Sequence, residues 1–363
     1  LVCKNPFQLS VIADCMGILT TTFYRWYKEF LSDFRTDEQQ KKLHENDLSI
    51  IGRNGKTQNI LVPILKIENM GTSMAIDEKH INNSFYTVLT NSNTGKVALM
   101  VDSVNSEFIG KCLNKFKDKL LFVNELTRDL SPTYKSVSNQ FFPNAVQIAD
   151  KYHIIASALE SVQDLRTKYR QENLTNDRKS KAEHDLRYKE YQLKLAEKTG
   201  EKLIKVNKKW LPIKLSNGET IAELLSRSRY LLFKKPDKWN DYQRDRSKVL
   251  FEKFPLLEKA YILINEFRDW YEPNKIKDTK WNFLTAETQL MHWMDKAEIS
   301  KIDEILNFRE LLERHFEPIL NYHINYKTNA IAESVNAKIK SALTNNKGAR
   351  DLDFFHFRLN MIL

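Results

Sequence analysis

Residues 74–101 read MAIDEKHINNSFYTVLTNSNTGKVALMV. The segment 74–77 is a short apolar run that ends on an acid, Asp77. Segments 85–90 and 97–101 are rich in β-branched and aromatic residues, which suit a pleated, half-buried surface. Between them, 91–96 is dense in Asn, Ser, Thr and Gly, the residues that reverse a chain sharply. Three strands in an antiparallel meander are predicted. Downstream, Phe108, Ile109, Cys112, Leu113 and Phe116 recur at helical spacing over 105–116. Segment 120–123 reads as a fourth strand whose continuation arrives at Asp129. Ser131 and Pro132 open a helix carrying Tyr134, Val137 and Phe141, and 146–149 is a fifth strand closed by Asp150.

Three strands, a helix, a strand, a helix and a strand is the order of an RNase H-like fold. The predicted core is therefore α/β, a mixed five-stranded sheet with helices. Its later strands are continuously apolar, as buried parallel strands are. In such a sheet the first and fourth strands are central neighbours, so Asp77 and Asp129 come together across 51 residues of intervening chain. Two adjacent carboxylates repel each other, and bound Mg²⁺ is the usual compensation. Taken alone, Asp77 reads equally as a solvated acid at a strand end, and Asp129 as an N-cap. Taken together they favour a metal site.

Upstream, residues 9–31 read LSVIADCMGILTTTFYRWYKEFL. A helix-turn-helix needs a small residue where its helices cross and one tolerant of positive φ in its turn. Ala13 and Gly17 fit those places. Ile12, Met16, Ile18, Phe23 and Trp26 are expected in the shared face, with a cap from Thr20, Thr21 or Thr22. Thr21, Tyr24, Arg25 and Lys28 are then placed to approach a DNA groove. The rival is an ordinary helical hairpin. Segment 1–45 is assigned to this module and 46–72 to a linker, within which the apolar run 60–67 is expected to be a strand.

The 363 residues carry 57 Lys plus Arg against 47 Asp plus Glu, and the net charge of +10 suits a polyanionic partner. Cys3, Cys15 and Cys112 are too few and too scattered for a disulfide framework or a four-thiolate zinc site, which points to a reducing cytoplasm. No apolar run approaches the roughly 18–20 residues of a spanning helix, so no membrane partner is expected. The chain opens on Leu1 rather than Met, so sequence ahead of it is expected.

Between Asp129 and the last helices lies far more chain than one crossover needs, and 154–325 reads as a mostly helical insertion between core segments 73–153 and 326–363. Apolar residues recur at helical spacing in 154–165, 221–232 and 249–270. Segment 166–209 is dense in Lys and Arg, either a solvated helix face or an arm that tracks phosphates. Most of Trp239, Tyr242, Trp270, Trp281 and Trp293 are expected in the core. In 329–343, Ile331, Val335, Ile339 and Ala342 form one stripe, with Glu333, Asn336 and Lys340 on the other side.

Four blocks in order, 75–78 (AIDE), 128–134 (RDLSPTY), 142–153 (FPNAVQIADKYH) and 332–340 (AESVNAKIK), resemble the signature blocks of DDE transposases, and most of all the ISL-three family of bacterial insertion sequences. Segments 229–236 and 354–359 resemble that family's insertion and closing blocks. The resemblance implies a transposase that binds insertion-sequence ends and performs Mg²⁺-dependent cleavage and strand transfer. Asp77, Asp129 and Glu333 would be its catalytic acids and hold two Mg²⁺ ions, with Mn²⁺ as a substitute. Asp150 and His153 match an accessory D-x-x-H element, and an alternative alignment makes Asp150 the second acid. Asn336 and Lys340 would contact the phosphate backbone. The partners implied are double-stranded DNA, as terminal inverted repeats and target, and a second copy of the chain, at a bacterial nucleoid. An RNase H-like nuclease or resolvase without strand transfer, and a non-catalytic DNA-binding derivative, are the rivals. The segment 126–129 (LTRD) is more polar than the family pattern, and Asp150 is followed by Lys151 and Tyr152 rather than Arg and Phe.

Overall fold

The computed structural model describes residues 9–51, 57–199, 209–272, 283–325, 330–345 and 351–363. Trp281 and Cys3 lie outside them. The chain forms two units, Leu1–His153 with His315–Leu363, and Ile154–Arg314.

The first unit starts with helices α1 (Leu9–Cys15) and α2 (Thr20–Trp26), which α3 (Asp37–Leu43) follows. Gly17 takes φ +66° in the turn between α1 and α2, a conformation that suits a residue without Cβ. Ala13 and Phe23 are buried, but Met16 and Trp26 are exposed. Leu19, not a threonine, precedes the first turn of α2 and makes no side-chain cap. The two helices close over Tyr27, Phe34, Phe354 and Phe357, the last two from the end of the chain, and leave Met16 and Trp26 outside that cluster.

Strands β1 (Leu48–Ile51) and β2 (Thr57–Ile60) pair as a separate two-stranded sheet. The main sheet holds β3 (Ile64–Leu65), β4 (Ser73–Ile81), β5 (Ser84–Asn91), β6 (Val97–Val101), β7 (Glu125–Arg128) and β8 (Val146–Ala149). Helix α4 (Ser106–Leu113) lies between β6 and β7 in the chain, and α5 (Pro132–Phe141) between β7 and β8. The sheet is mixed, in the order β3-β6-β5-β4-β7-β8. It has six strands rather than five, because Ile64 and Leu65 pair with Met100 and Leu99 at the edge of the meander.

Two further expectations shift. Segment 117–122 is a 3₁₀ turn, and the strand that reaches Asp129 is β7. Leu121 and Phe122 are exposed, so this apolar stretch has no second layer to bury it as a strand. Strand β4 also does not end at Asp77. Its antiparallel ladder with β5 runs on to Ile81 opposite Ser84, whereas its parallel ladder with β7 stops at Ile76 opposite Arg128. Asp77 is thus the first residue of β4 beyond the parallel partner.

Alternation along the strands separates two layers. Met74, Ile76, Leu89, Leu99 and Leu126 pack with Ile109 and Leu113 of α4 and Tyr134 and Val137 of α5. Tyr86, Val88, Ile81 and Met100 face the chain's last helices.

Helix α6 (Lys151–Thr199) starts in the first unit and runs 49 residues without a break. Ile154, Ala158, Val162 and Leu165 are buried, but from Thr167 to Lys198 no residue is. The basic stretch therefore continues the predicted 154–165 helix as an exposed one. The rest of the second unit is α7 (Ile221–Arg227), α8 (Arg229–Phe233), α9 (Asp241–Lys253), α10 (Pro255–Trp270), α11 (Phe283–Ser300) and α12 (Asp303–Arg314). Pro255 starts α10 and divides 249–270 into two helices, since proline lacks the N–H a continuous helix requires. Trp239, Trp270 and Trp293 are buried, their indole N–H groups donating to the carbonyls of Leu231, Ala286 and Leu263. Tyr242 is exposed.

The first unit closes with α13 (Phe316–Asn325), α14 (Ala330–Asn345) and α15 (Leu352–Ile362). Val335, Ile339 and Ala342 of α14, with Phe355 and Leu359 of α15, cover the second face of the sheet.

Candidate active site

Register builds the site. Ile76 lies opposite Arg128, and Arg128 opposite Ala149, on three adjacent parallel strands. The next residues are Asp77, Asp129 and Asp150, which therefore form a row across the sheet on one face, since parallel neighbours in register share the pleat. The Asp150 N–H donates to the Arg128 carbonyl at 2.8 Å and extends the β7–β8 ladder to the row. His153, in the first turn of α6, places Nε2 4.0 Å from Asp77 Oδ1 and 3.9 Å from Asp150 Oδ2.

The Asp77 carboxylate is well partnered. Oδ1 accepts the Glu78 N–H at 2.8 Å, and Oδ2 accepts from Lys79 Nζ at 3.0 Å and Asn336 Nδ2 at 2.6 Å. Asp129 Oδ1 accepts the Ser131 N–H at 2.8 Å. Ser131, not Asp129, is the N-cap of α5, so the acid braces the turn ahead of the helix. Burial pushes the Asp129 carboxyl above the usual carboxylate range. The Ser131 N–H and His153 pull it back, and Asp77 raises it further. Burial, Asp129 and Asp77 likewise push Glu78 up. A half-buried acid raised by burial and by a neighbouring acid is an arrangement common at cation-binding and acid–base sites.

The structure thus brings together Asp77, Asp129, Asp150, His153 and Asn336. Glu333 is exposed on α14, one turn before Asn336, and Lys340 is exposed one turn beyond it. Among the described residues, no group of three or more His, Cys, Asp and Glu side chains is gathered closely enough to hold a metal ion. Asn336, expected on DNA, is bonded to Asp77 instead.

The N-terminal candidates divide in the same way. Thr21 and Arg25 are exposed. Tyr24 meets the ring of Phe354 edge-on at 5.7 Å, and Lys28 forms an ion pair with Asp351, so both face α15.

Two residues at the site escape sequence reading. Lys79 lies two residues beyond Asp77, on the same strand face, and the period of two is the signal that would have found it. Arg128 is 1% exposed, and its only signal is its place in a short polar stretch, Thr127 to Asp129, ahead of the helix start at Ser131 and Pro132.

From residue 74 to residue 359 the chain matches the family model described as transposase. The chain belongs to the ISL-three family of DDE transposases. The match to this transposase family starts in β4 and ends in α15, so it spans both acid-bearing strands, the second unit and α14. The N-terminal helices precede it. Neither a curated protein nor a solved structure matches the transposase. Among its described residues no helix is long and apolar enough to cross a membrane.

Proposed function

We propose that this transposase cuts the ends of an insertion sequence and joins them to target DNA, using Asp77, Asp129 and Glu333 as its catalytic acids on an RNase H-like core. What carries the reading is the β4–β7 register, which sets Asp77 and Asp129 on adjacent positions of neighbouring strands. Glu333 joins them by way of α14, whose Asn336 already bonds to Asp77.

The residues suit Mg²⁺. All three donors are carboxylates, hard oxygen ligands of the kind this ion takes, and the half-buried Asp129 and Asp77 are a pair of like charges that a cation would relieve. Asp77, Asp129 and Glu333 would hold two ions, with Mn²⁺ as a substitute. When bound, such ions supply the acidity that activates a water or a DNA 3′-hydroxyl and the charge that stabilises a leaving oxygen. The chain's own groups do the rest. Lys79, already drawn to Asp77, and Lys340, exposed one turn past Asn336, offer positive charge to the scissile phosphate. His153 orients Asp77 and Asp150, and Asp150 is an accessory acid in this reading.

The helices α1 and α2 form a helix-turn-helix that reads the terminal repeats through Thr21 and Arg25. The exposed basic length of α6 tracks phosphates, and two copies of the chain bring two ends to one target.

The test is cleavage and joining of supercoiled DNA carrying the element ends, in Mg²⁺, with wild type beside Asp129→Ala and Asp150→Ala. Boundary nicking abolished by Asp129→Ala and only weakened by Asp150→Ala is the expected result. Loss with Asp150→Ala alone would move the second acid to Asp150. End binding without any cleavage by wild type would make the chain a DNA-binding derivative.

A further inference from the structure

Strand β7 is buried on both faces, yet its last residue is an arginine. Arg128 is 1% exposed, among the largest fully buried side chains of the described residues. Its guanidinium is tied at two points: Nε donates to Gln147 Oε1 at 3.0 Å, and Nη1 donates to the main-chain carbonyl of Asp129 at 2.9 Å. Gln147 is itself held from three sides. Its Oε1 also accepts from Ser138 Oγ at 3.0 Å, its Nε2 donates to Asn139 Oδ1 at 2.6 Å, and its main-chain carbonyl accepts from Asn321 Nδ2 at 2.9 Å. Residues of α5 and α13 thus hold Gln147 of β8, the side chain that braces the buried cation.

The need for that cation follows from the register. The β7–β8 hydrogen bonding ends with the Asp150 N–H on the Arg128 carbonyl, so the carbonyl of Asp129 is the first beyond the strand pairing. A carbonyl in such a place needs a donor. The arginine supplies it while anchored to the neighbouring strand, and the Ser131 N–H fixes Oδ1 of the same residue. Backbone and side chain of Asp129 are thereby each held by one hydrogen bond. A lysine ammonium has no planar fork with which to make the same two-pronged contact.

We propose that Arg128 is a positioning residue, whose buried guanidinium, braced by Gln147 and bonded to the Asp129 carbonyl, fixes the direction in which Asp129 presents its carboxylate beside Asp77. Arg128 touches neither substrate nor metal and acts only through Asp129. The consequence for metal affinity rests on the reading of Asp77 and Asp129 as the Mg²⁺-holding acids. The consequence for the backbone does not.

The test uses the full chain with Arg128→Met, which keeps the apolar stem, and Arg128→Lys, which keeps stem and charge. Hydrogen exchange without metal, on peptides covering 126–134, is expected to be faster in both variants than in wild type. Calorimetric titration with Mn²⁺, without DNA, is expected to show affinity lowered by about 10–100-fold in Arg128→Met, with Arg128→Lys between it and wild type. A folded Arg128→Met with wild-type exchange at 126–134 and wild-type Mn²⁺ affinity overturns the proposal. If wild type shows no Mn²⁺ binding that Asp129→Asn removes, the metal reading fails. The exchange arm then decides alone, faster exchange supporting the positioning role and unchanged exchange overturning it. Should Arg128→Met not fold, Arg128→Lys carries the same two readouts.

Discussion

Asp77 and Asp129 each lie one residue past the last pair of a ladder whose register is set by main-chain hydrogen bonds, whereas Glu333 sits on a helix held to the sheet by Val335, Ile339, Ala342 and one side-chain hydrogen bond from Asn336 to Asp77. The first two acids cannot part without breaking the ladder, because a slip of one residue would turn every side chain of the strand to the other face. The third acid has no such constraint. Its distance from the pair depends on how apolar side chains settle, and a helix can adjust that packing while keeping all its own hydrogen bonds. The strand half is gathered and the helix half is exposed. That is the order expected when backbone pairing fixes one part of a site and side-chain packing the other.

Glu333→Gln breaks this contrast most sharply. If α14 completes the site on DNA, the variant should lose roughly a thousandfold in end cleavage, as when a charge-stabilising group is removed. Retained cleavage would take Glu333 out of the triad. Ile339→Ala should destabilise the docking of α14 by about 2–5 kcal/mol. Hydrogen exchange would show faster exchange across 330–345 with β4 and β7 still protected, and uniform loss of protection would mean that the two halves melt as one.

Acid should separate the halves in the same direction. Burial lowers His356 on α15 from the ordinary histidine range to about 4, and His44 adds to the shift. The unfolded chain therefore binds a proton that the folded chain refuses between about pH 6.5 and 4. Stability is lost as pH falls through that window, on the order of 3 kcal/mol from this residue. Urea titrations of wild type and His356→Leu at pH 7 and pH 4.5 measure it, and the variant should show the weaker pH dependence.

Asn336→Ala sharpens the link between the halves. It removes the amide contact from α14 to Asp77, a hydrogen bond to a charged acceptor, and should cost about tenfold in cleavage rate while leaving end binding unchanged. The smallest effect belongs to Asp129→Asn in metal-free protein. A carboxyl whose folded value is raised holds its proton longer than in the unfolded chain, so its contribution to stability falls as pH rises through the interval between the two values. At neutral pH the amide escapes that cost, and Tm should rise by about a few degrees as activity disappears. A fall in Tm would show that the charged form is the better accommodated one.

Much of the strand half was legible beforehand. Alternation and turn residues placed β5, β6 and β8, and apolar continuity marked β4 as buried. Segment 117–122 departs from a strand because Leu120 is buried in the core while Leu121 and Phe122, which carry strand propensity, have no layer to cover them. Tyr24 and Lys28, expected toward a DNA groove, also meet Phe354 and Asp351, more than 300 residues further on, which no local pattern announces. Lys79 shows in the sequence only as a cation two residues past an acid, and Arg128 only as part of a polar stretch.

The sequence by itself determined the local structure and the inventory of acids, because strand period, helix period, turn chemistry and capping act over a few residues. Only the tertiary structure decided which acids meet, which cations are spent inside the protein, and that a buried arginine braces Asp129. Those outcomes depend on partners such as Gln147, Asn321, Asn336 and Asp351, brought from other strands and helices, and no short-range pattern in the chain records who will stand beside whom.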